Sequence, residues 1–190
     1  MTEKEIEQLK YIKIVSNEIY FYCDVSVESV AEFNTELRKL DKELRTKYIE
    51  MDIDDIPVIK IYIHSPGGDV HAGFGAHDHI QRCKSHVITI ADGFTASAAA
   101  IMYLGGHERF ITKNAWILIH QIGTEIGWGS FDEIKAEVDN CQQIMKHMRS
   151  MCKRMTNIPE AKLDKLMQQD VIMSSKKCLK YGVSTKICAA

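Results

Sequence analysis

Two residues of the chain have the side chains that nucleophilic catalysis on a carbonyl group requires. Ser97 lies in Gly-Phe-Thr-Ala-Ser-Ala-Ala-Ala, where a predicted strand gives way to a predicted helix. His120 follows the wholly apolar run Ala-Trp-Ile-Leu-Ile. A neutral imidazole can take the proton of a serine hydroxyl and so activate it as a nucleophile. Each residue also has an ordinary structural interpretation, an N-cap serine and a satisfied core histidine.

A third segment could supply hydrogen-bond donors to the same reaction. Residues 65–69 read Ser-Pro-Gly-Gly-Asp and directly follow an apolar run. The paired glycines leave the backbone bare, so its N–H groups could meet an incoming oxygen or an extended peptide, although Pro-Gly is commonly a simple turn. The start of the helix at Ser97 offers further N–H groups and a positive dipole end. A catalytic histidine also needs an orienting carboxylate, and Asp69, Asp92 and Asp170 are all candidates.

Apolar strand-like runs alternate with helical patterns along most of the chain, and each of the three segments follows a predicted strand. Strands are predicted at 18–23, 58–63, 87–91, 109–112 and 115–119, and helices at 27–47, 73–83, 97–104, after residue 159 and at 174–181. Strands without a polar face are typical of parallel sheets covered by helices on both sides. The predicted fold class is α/β, in a single domain over residues 1–190, and open sheets of this class place their sites at strand ends.

The longest predicted helix covers residues 130–155. Ser130 and Glu133 match a capping box. Its apolar residues recur every three or four positions in one stripe, formed by Ile134, Val138, Cys141, Met145, Met148 and Cys152. At 1.5 Å per residue the helix would reach about 40 Å, longer than one small core needs. We expect it to pack against another subunit; the alternative is that it lies along its own sheet.

Composition argues against several function classes. The chain has 24 Lys and Arg against 26 Asp and Glu, a net charge of −2 that does not suit a general nucleic-acid binder. The first residues are acidic where a signal peptide would be basic and then apolar, and the longest uncharged run, about 15 residues, is too short to cross a membrane. We therefore expect a cytoplasmic protein with neither nucleic-acid nor membrane partners.

Cysteine and histidine spacing does not predict a metal site. The six cysteines are widely spaced and contain no Cys-x-x-Cys pair, so we interpret them as reduced, mostly buried thiols. His71, His77 and His79 are close in sequence, but the last two point to different faces of a helix. We expect all three histidines to be exposed to solvent and the protein to use no metal or cofactor.

Four ordered motifs resemble the ClpP family of serine peptidases. They are Ile-Tyr-Ile-His-Ser-Pro-Gly-Gly, Ala-Ser-Ala-Ala-Ala, Ile-His-Gln and the tail Asp-x-x-Met-Ser-x-x-x-x-x-x-Tyr-Gly-Val, and the resemblance covers roughly residues 18–187. It implies a catalytic triad of Ser97, His120 and Asp170, which selects Asp170 from the three candidate carboxylates.

The resemblance implies three further features of the site and of the fold. The backbone N–H groups of Gly68 and Ala98 would form an oxyanion hole, and an extended substrate would bind along Gly67, Gly68 and Gly123. The fold would be the ClpP/crotonase-type superhelix of repeated β-β-α units with a protruding strand–helix handle, here residues 124–155.

Activity and assembly follow from the same resemblance. Family members form heptameric rings stacked as a tetradecamer, with the active sites inside the chamber, and the handle would give the long helix a partner in the opposite ring. The implied function is a serine endopeptidase that degrades peptides or unfolded proteins through an acyl-enzyme.

Three regions depart from the family pattern, and one of them, residues 41–57, is strongly charged and longer than the family usually shows. Residues 1–17 suffice for a short helix but leave little for axial loops. In that helix four residues could face inward, namely Ile6, Leu9, Tyr11 and Ile12. In the family an aromatic-lined pocket receives loops of an AAA+ unfoldase. Tyr62 matches one of its aromatic residues, but Lys60 and Arg82 place charges where others are expected, which would weaken a hydrophobic dock and puts this partnership in doubt.

Other functions remain open from the sequence. A crotonase-like acyl-CoA enzyme would use the oxyanion hole for an enolate, and a catalytically silent subunit could close a ring made with an active paralogue. The compact, divergent chain also suggests a phage or prophage version of the family, for which a capsid-maturation protease is a variant of the leading hypothesis.

Overall fold

The computed structural model describes residues 11–123 and 128–188. The strands within these ranges are β1 (Ile12–Val15), β2 (Glu18–Phe21), β3 (Val58–Ser65), β4 (His86–Ala96), β5 (Glu108–Thr112), β6 (Trp116–Leu118), β7 (Met173–Ser174) and β8 (Lys186–Cys188). The helices are α1 (Val27–Glu50), α2 (Val70–Gln81), α3 (Ala98–Leu104), α4 (Phe131–Met155), α5 (Glu160–Gln168) and α6 (Ser175–Lys180). This alternation confirms the predicted α/β class.

The strands form one sheet in the order β1-β2-β3-β4-β5-β8, with β6 paired to β4 and β7 paired to β6. Neighbours from β2 to β8 are parallel, whereas β1 and β7 run antiparallel to their partners. The long strand β4 changes partner along its length. Its residues 88–91 pair with β5 and its residues 94–96 pair with β6. This change of partner brings the end of β6 beside the end of β4. Ser97 directly follows β4, and His120 lies two residues after β6.

The core lies on one face of the sheet, under α1, α2 and α3. In β3, Ile59, Ile61 and Ile63 are fully buried, while the alternate side chains of Lys60 and Tyr62 are only half-buried. The expectation that apolar strands are covered on both faces is therefore wrong for β3. Every residue of α3 is buried, because this short helix lies in the middle of the core.

The amino-terminal prediction of a helix is wrong for the described residues. Ile12–Val15 instead forms an antiparallel hairpin with β2, through a turn in which Ser16 has a φ of 57°. Ile12 is buried, as expected, but Tyr11 is exposed. Ile6 and Leu9 lie outside the described residues. A strand is favoured here because pairing with the edge of a parallel sheet satisfies backbone groups that a short helix would leave to solvent.

Helix α4 is half inside and half outside the core. Its predicted capping box is present, with Ser130 and Glu133 bonding each other's backbone N–H groups. Met148 and Cys152 are buried, whereas Ile134 and Val138, at the other end of the same stripe, are 37% and 38% exposed. Only the carboxyl-terminal half of the helix therefore lies on its own core. Residues 124–127, at the start of the predicted handle, lie outside the described residues.

Helices α2 and α3 pack closely enough to bury one of the three histidines. A Cβ at Gly73 would lie 2.8 Å from the carbonyl oxygen of Ala98. His77 is only 8% exposed, and its Nδ1 lies 3.2 Å from the carbonyl oxygen of Ile101. The predicted exposure is wrong for His77 because the small residues on α2 bring its next turn onto α3. It is also wrong for His79, which is half-buried, whereas His71 is exposed as predicted.

All six cysteines are free, but only Cys152 and Cys178 are buried and the other four are half-buried. The expectation of mostly buried thiols is therefore wrong. No helix in the described ranges combines the length and the apolar character needed to span a membrane.

Candidate active site

Ser97 occupies a strained position at the junction of β4 and α3. Its φ and ψ are 56° and −125°, a region that residues with a side chain rarely adopt and that costs about 1–3 kcal/mol. Ser97 occupies the N-cap position of α3, as the structural interpretation expected, but its hydroxyl makes no capping bond to the helix. The N–H of Ser97 donates to the carbonyl of Leu118, at 2.9 Å, which ties this turn to β6.

The Pro-Gly-Gly segment lies directly against Ser97. Gly67 and Gly68 have φ values of +100° and +142°, which favour glycine. A Cβ at Gly68 would lie 2.2 Å from the carbonyl oxygen of Val25. The bridge to Val25 uses the carbonyl of Gly67 and the N–H of Asp69, and so leaves the N–H of Gly68 out of this pairing. Gly68 and Ala98, the two expected oxyanion donors, line one cavity together with Ser97 and His120.

His120 lies two residues beyond β6, whose Leu118 carbonyl accepts the N–H of Ser97, and its carboxylate partner follows α5. The Nδ1 of His120 is 3.4 Å from Oδ1 of Asp170. This contact is longer than an ordinary N–H···O hydrogen bond but close enough for an ion pair. The N–H of Gln121 donates to the carbonyl of Met167, at 3.1 Å, and thereby holds the end of α5 beside β6. Asp170 itself has a φ of 49°, a left-handed conformation that Asp tolerates better than most residues.

The two competing carboxylates are engaged elsewhere. Asp69 caps α2, with its Oδ1 accepting a bond from the N–H of Ala72 at 2.8 Å. Asp92 accepts bonds from the hydroxyls of Tyr22 and Thr112 on the other side of the sheet. Of the three candidates that the residues left open, the structure brings Asp170 into contact with His120.

The cavity beside Ser97 has a volume of about 200 Å³. The expected substrate-binding residues Gly68 and Gly123 lie along its edge, and the space beside Gly123 is open. A second, smaller hollow lies under Ser97 and His120 and is lined by apolar side chains that include Met148 and Cys152.

In the described part of the chain, Ser97 Oγ makes no hydrogen bond to His120. The two side chains face the same cavity, whereas only His120 and Asp170 are in polar contact.

One wall of this cavity was not anticipated from the sequence. Glu137, Cys141, Ile144 and Met148 line it from α4. They recur at spacings of four, three and four residues, which place them on one helical face. The predicted apolar stripe shares Cys141 and Met148 with this row but not Glu137, so a search for apolar periodicity could not include the carboxylate. Desolvation and the neighbouring Glu137 raise the pKa of the Cys141 thiol above its ordinary value.

Within the described ranges, no three His, Cys, Asp or Glu side chains cluster closely enough to hold a metal ion.

Comparison with known proteins assigns the chain to a family. The family model described as Clp protease matches residues 11–190. The chain belongs to the Clp protease family. It is 33% identical over 158 residues to the ATP-dependent Clp protease proteolytic subunit 2 of Treponema denticola, an alignment that covers 82% of this chain and 78% of that one. Membership supports a peptidase, as the resemblance of the motifs implied.

More distant members of the Clp protease family match over shorter segments. The proteolytic subunit 2 of Streptomyces coelicolor is 30% identical over 131 residues, which cover 68% of this chain and 60% of that subunit. The proteolytic subunit of Deinococcus radiodurans is 28% identical over 131 residues, which cover 68% of this chain and 64% of that one. Each alignment spans less than two thirds of these two relatives' own length.

A solved Clp protease structure confirms the fold. A point mutant of ClpP1 from Listeria monocytogenes superimposes with a TM-score of 0.78 over 92% of each chain, at 22% identity. At this identity the match shows the shared fold alone. It confirms the ClpP-type architecture that the motifs implied.

Proposed function

We propose that this protein is a serine endopeptidase in which Ser97 is the nucleophile, His120 the general base and Asp170 the residue that orients the imidazole. The proposal rests chiefly on one observation: a strained serine, a histidine paired with a carboxylate and a bare glycine backbone meet at one cavity. Strained backbone at a cavity is a frequent property of catalytic residues.

In the proposed reaction, Ser97 Oγ attacks the carbonyl carbon of a peptide bond while its proton passes to Nε2 of His120. Asp170, 3.4 Å from Nδ1, stabilises the imidazolium that forms. Collapse of the tetrahedral intermediate breaks the C–N bond, and the imidazolium gives its proton to the leaving amine. Water then hydrolyses the acyl-enzyme with His120 again acting as base. The bond between Ser97 and His120 would form with substrate bound, as catalytic hydrogen bonds commonly tighten in the Michaelis complex.

The oxyanion of both intermediates would be held by backbone donors. The N–H of Gly68 stands outside the bridge to Val25, and Ala98 is the first residue of α3, where N–H groups have no partner within the helix. An extended substrate would pair with the backbone at Gly67, Gly68 and Gly123. In support, Gly68 and Gly123 line the cavity, and the space beside Gly123 is open. Backbone pairing of this kind binds many sequences.

We further propose that the chain assembles as heptameric rings stacked into a tetradecamer through α4. Large apolar side chains are exposed at its outer end: Trp128 and Phe131 almost completely, and Ile134 and Val138 in part. Exposed apolar surface of this extent is typical of an interface. The rings would enclose the sites and restrict access to peptides and unfolded chains.

The three proteolytic subunits named above belong to ATP-dependent proteases. Whether this chain also works with an AAA+ unfoldase depends on its own docking surface. The half-exposed sheet face near Tyr62 carries a stacked Tyr20–Tyr62 pair and an ion pair between Lys60 and Glu18. Such a polar surface is a poor dock for an apolar loop. We infer that hydrolysis of short peptides needs no AAA+ unfoldase, so adding one to the purified protein should leave the turnover of a short peptide unchanged.

The decisive test compares the wild-type protein with Ser97→Ala. The variant should lose hydrolysis of fluorogenic peptides and labelling by a fluorophosphonate, while its circular dichroism and particle size stay those of wild type. Labelling at wild-type level would exclude Ser97 as the nucleophile. Retention of acyl-CoA by a wild-type protein that cleaves no peptide would instead favour a crotonase-like enzyme.

A further inference from the structure

The strand that leads to Ser97 contains a bulge where it changes partner. Over residues 91–95, β4 advances four positions while β3 advances only two, so His64 lies alone opposite residues 92–94. Before this bulge β4 pairs with β5, and after it β4 pairs with β6. Bulges bend a strand and re-aim the side chains that follow. The bulge at 92–94 therefore sets the direction in which β4 reaches the proposed nucleophile.

The imidazole of His64 fills the space beside this bulge. Its Nδ1 accepts the backbone N–H of Phe94 at 3.1 Å and lies 3.0 Å from the carbonyl oxygen of Asp92. The backbone N–H cannot move its hydrogen, whereas an imidazole can carry its proton on Nε2, so Nδ1 is the acceptor and its contact with the carbonyl is packing alone. Gly93 has a φ of +70°, and a Cβ there would lie 2.5 Å from Nδ1. The ring therefore occupies the place that a side chain at position 93 would need.

Neighbouring contacts fix the two ends of the bulge. At its start, the hydroxyl of Tyr22 donates to the carboxylate of Asp92, and the rings of Tyr22 and His64 lie with their centroids 5.6 Å apart. At its end, the buried hydroxyl of Thr95 donates to the carbonyl of Ile63 at 2.8 Å. The imidazole supplies the acceptor between these two points, so it determines the shape of the bulge.

We propose that His64 is a positioning residue whose imidazole holds the bulge of β4 and thereby places Ser97. This inference rests on the proposed function, because its consequence is felt at the nucleophile. His64 also lies three residues before Gly67, whose backbone is in close contact with Ser97, so a shift of β3 here would move the proposed oxyanion donors as well. Among the described residues that line the cavity His64 does not occur, so it acts through the backbone and not on the substrate.

Fluorophosphonate labelling and steady-state kinetics of the intact protein test this role. His64→Leu keeps an apolar bulk but removes the acceptor. It should slow labelling of Ser97 and lower kcat by at least about tenfold, the scale of a misplaced reacting group, with a smaller change in KM. His64→Asn should restore most of this loss, because its Oδ1 branches from Cγ as Nδ1 does and can accept the same bond.

The matched control lies at the other end of the same strand. The Nε2 of His86 is 2.9 Å from Oε1 of Glu108, and His86→Leu removes this imidazole contact at the start of β4. The control should label and turn over as the wild type does. A wild-type labelling rate in His64→Leu, or a loss in His64→Asn as large as in His64→Leu, would overturn the role of His64.

Hydrogen exchange separates this inference from the proposed chemistry, since it reports local opening without any reaction. The backbone amides of residues 94–98 should exchange faster in His64→Leu than in the wild type, and His64→Asn should restore their protection. Equal exchange in all three proteins would show that the imidazole does not hold the bulge. A wild type that neither cleaves peptides nor reacts with a fluorophosphonate, although its variants show these exchange differences, would overturn the proposed function alone.

Discussion

Gly67 and Ser97 are in such close contact that no side chain fits between them. A Cβ at Gly67 would lie 2.5 Å from Cβ of Ser97 and 2.7 Å from the carbonyl oxygen of Ala96. Neither distance is compatible with normal van der Waals contact. The backbone that supplies the proposed oxyanion donor is therefore positioned by direct contact with the proposed nucleophile, and a change in one displaces the other.

Replacing Gly67 by Ala should inactivate the enzyme. The added methyl group must push Ser97 away, and the φ of +100° is strained for alanine. We expect a loss of at least about tenfold in the rate of fluorophosphonate labelling at Ser97, the scale of a misplaced reacting group. The matched control is Gly75→Ala, where an added Cβ meets no atom within 4 Å. This control should label at the wild-type rate and gain up to about 1 kcal/mol of stability, since alanine is the better helix former. Equal labelling of both variants would contradict the assigned contact.

Replacing Asp170 by Asn should lower kcat by about 10²- to 10⁴-fold with a smaller change in KM. The amide keeps the size of the carboxylate but cannot stabilise the imidazolium of His120 by charge. Asp92→Asn is the informative comparison, because Asp92 was a candidate from the sequence but bonds to Tyr22 and Thr112. Steady-state kinetics on one fluorogenic peptide suffice. A larger loss in Asp92→Asn than in Asp170→Asn would reverse the assignment of the orienting residue.

A charge on the exposed stripe of α4 should disrupt the assembly. Val138 is apolar and 38% exposed, and Val138→Asp would bury an unpaired carboxylate if this surface packs against a second ring. Light scattering after size-exclusion chromatography should then show particles about half the wild-type mass. Asn140→Asp adds the same charge on the opposite side of the helix and should leave the mass unchanged. A wild-type mass for Val138→Asp would rule out this stripe as the interface.

Burial of His77 should make the folded protein less stable in acid. Desolvation lowers the pKa of His77 below its ordinary value of 6.5. As the pH falls through 6.5 the unfolded chain gains a proton that the folded chain resists, so the free energy of unfolding decreases until the lower folded pKa is reached. The slope for this one group is at most about 1.4 kcal/mol per pH unit.

Urea unfolding between about pH 5 and 8, at fixed protein concentration, measures this contribution across the range in which histidines titrate. His77→Gln keeps a donor for the carbonyl of Ile101 but cannot be protonated, so it should lose less stability toward acid than the wild type. The pKa values of His79 and His107 are also lowered by burial, and both residues remain in wild type and variant alike, so their effect cancels in the difference. Exposed His71 serves as the control, since His71→Gln should follow the wild-type curve. Identical slopes for wild type and His77→Gln would contradict the burial argument.

The elements themselves could be predicted because their signals are local. The apolar runs at β3 and β6, the capping box before α4 and the glycines before α2 each reflect the conformational preferences of a few adjacent residues. The family could be predicted for a similar reason, because its motifs are short and occur in a fixed order along the chain. The start of β1 was missed because the amino-terminal residues acquire their strand geometry only by pairing with β2.

The fold class, the family and the residue types available for chemistry could be predicted from the amino-acid sequence, because they depend on composition, periodicity and order along the chain. Which groups meet at the site depends instead on how distant segments pack. Asp170 reaches His120, and Asp92 does not, because a backbone bond between Gln121 and Met167 joins segments far apart in sequence. Glu137 lines the cavity for the same reason: the position of a helix across a site depends on packing between distant segments, and no local pattern specifies that packing.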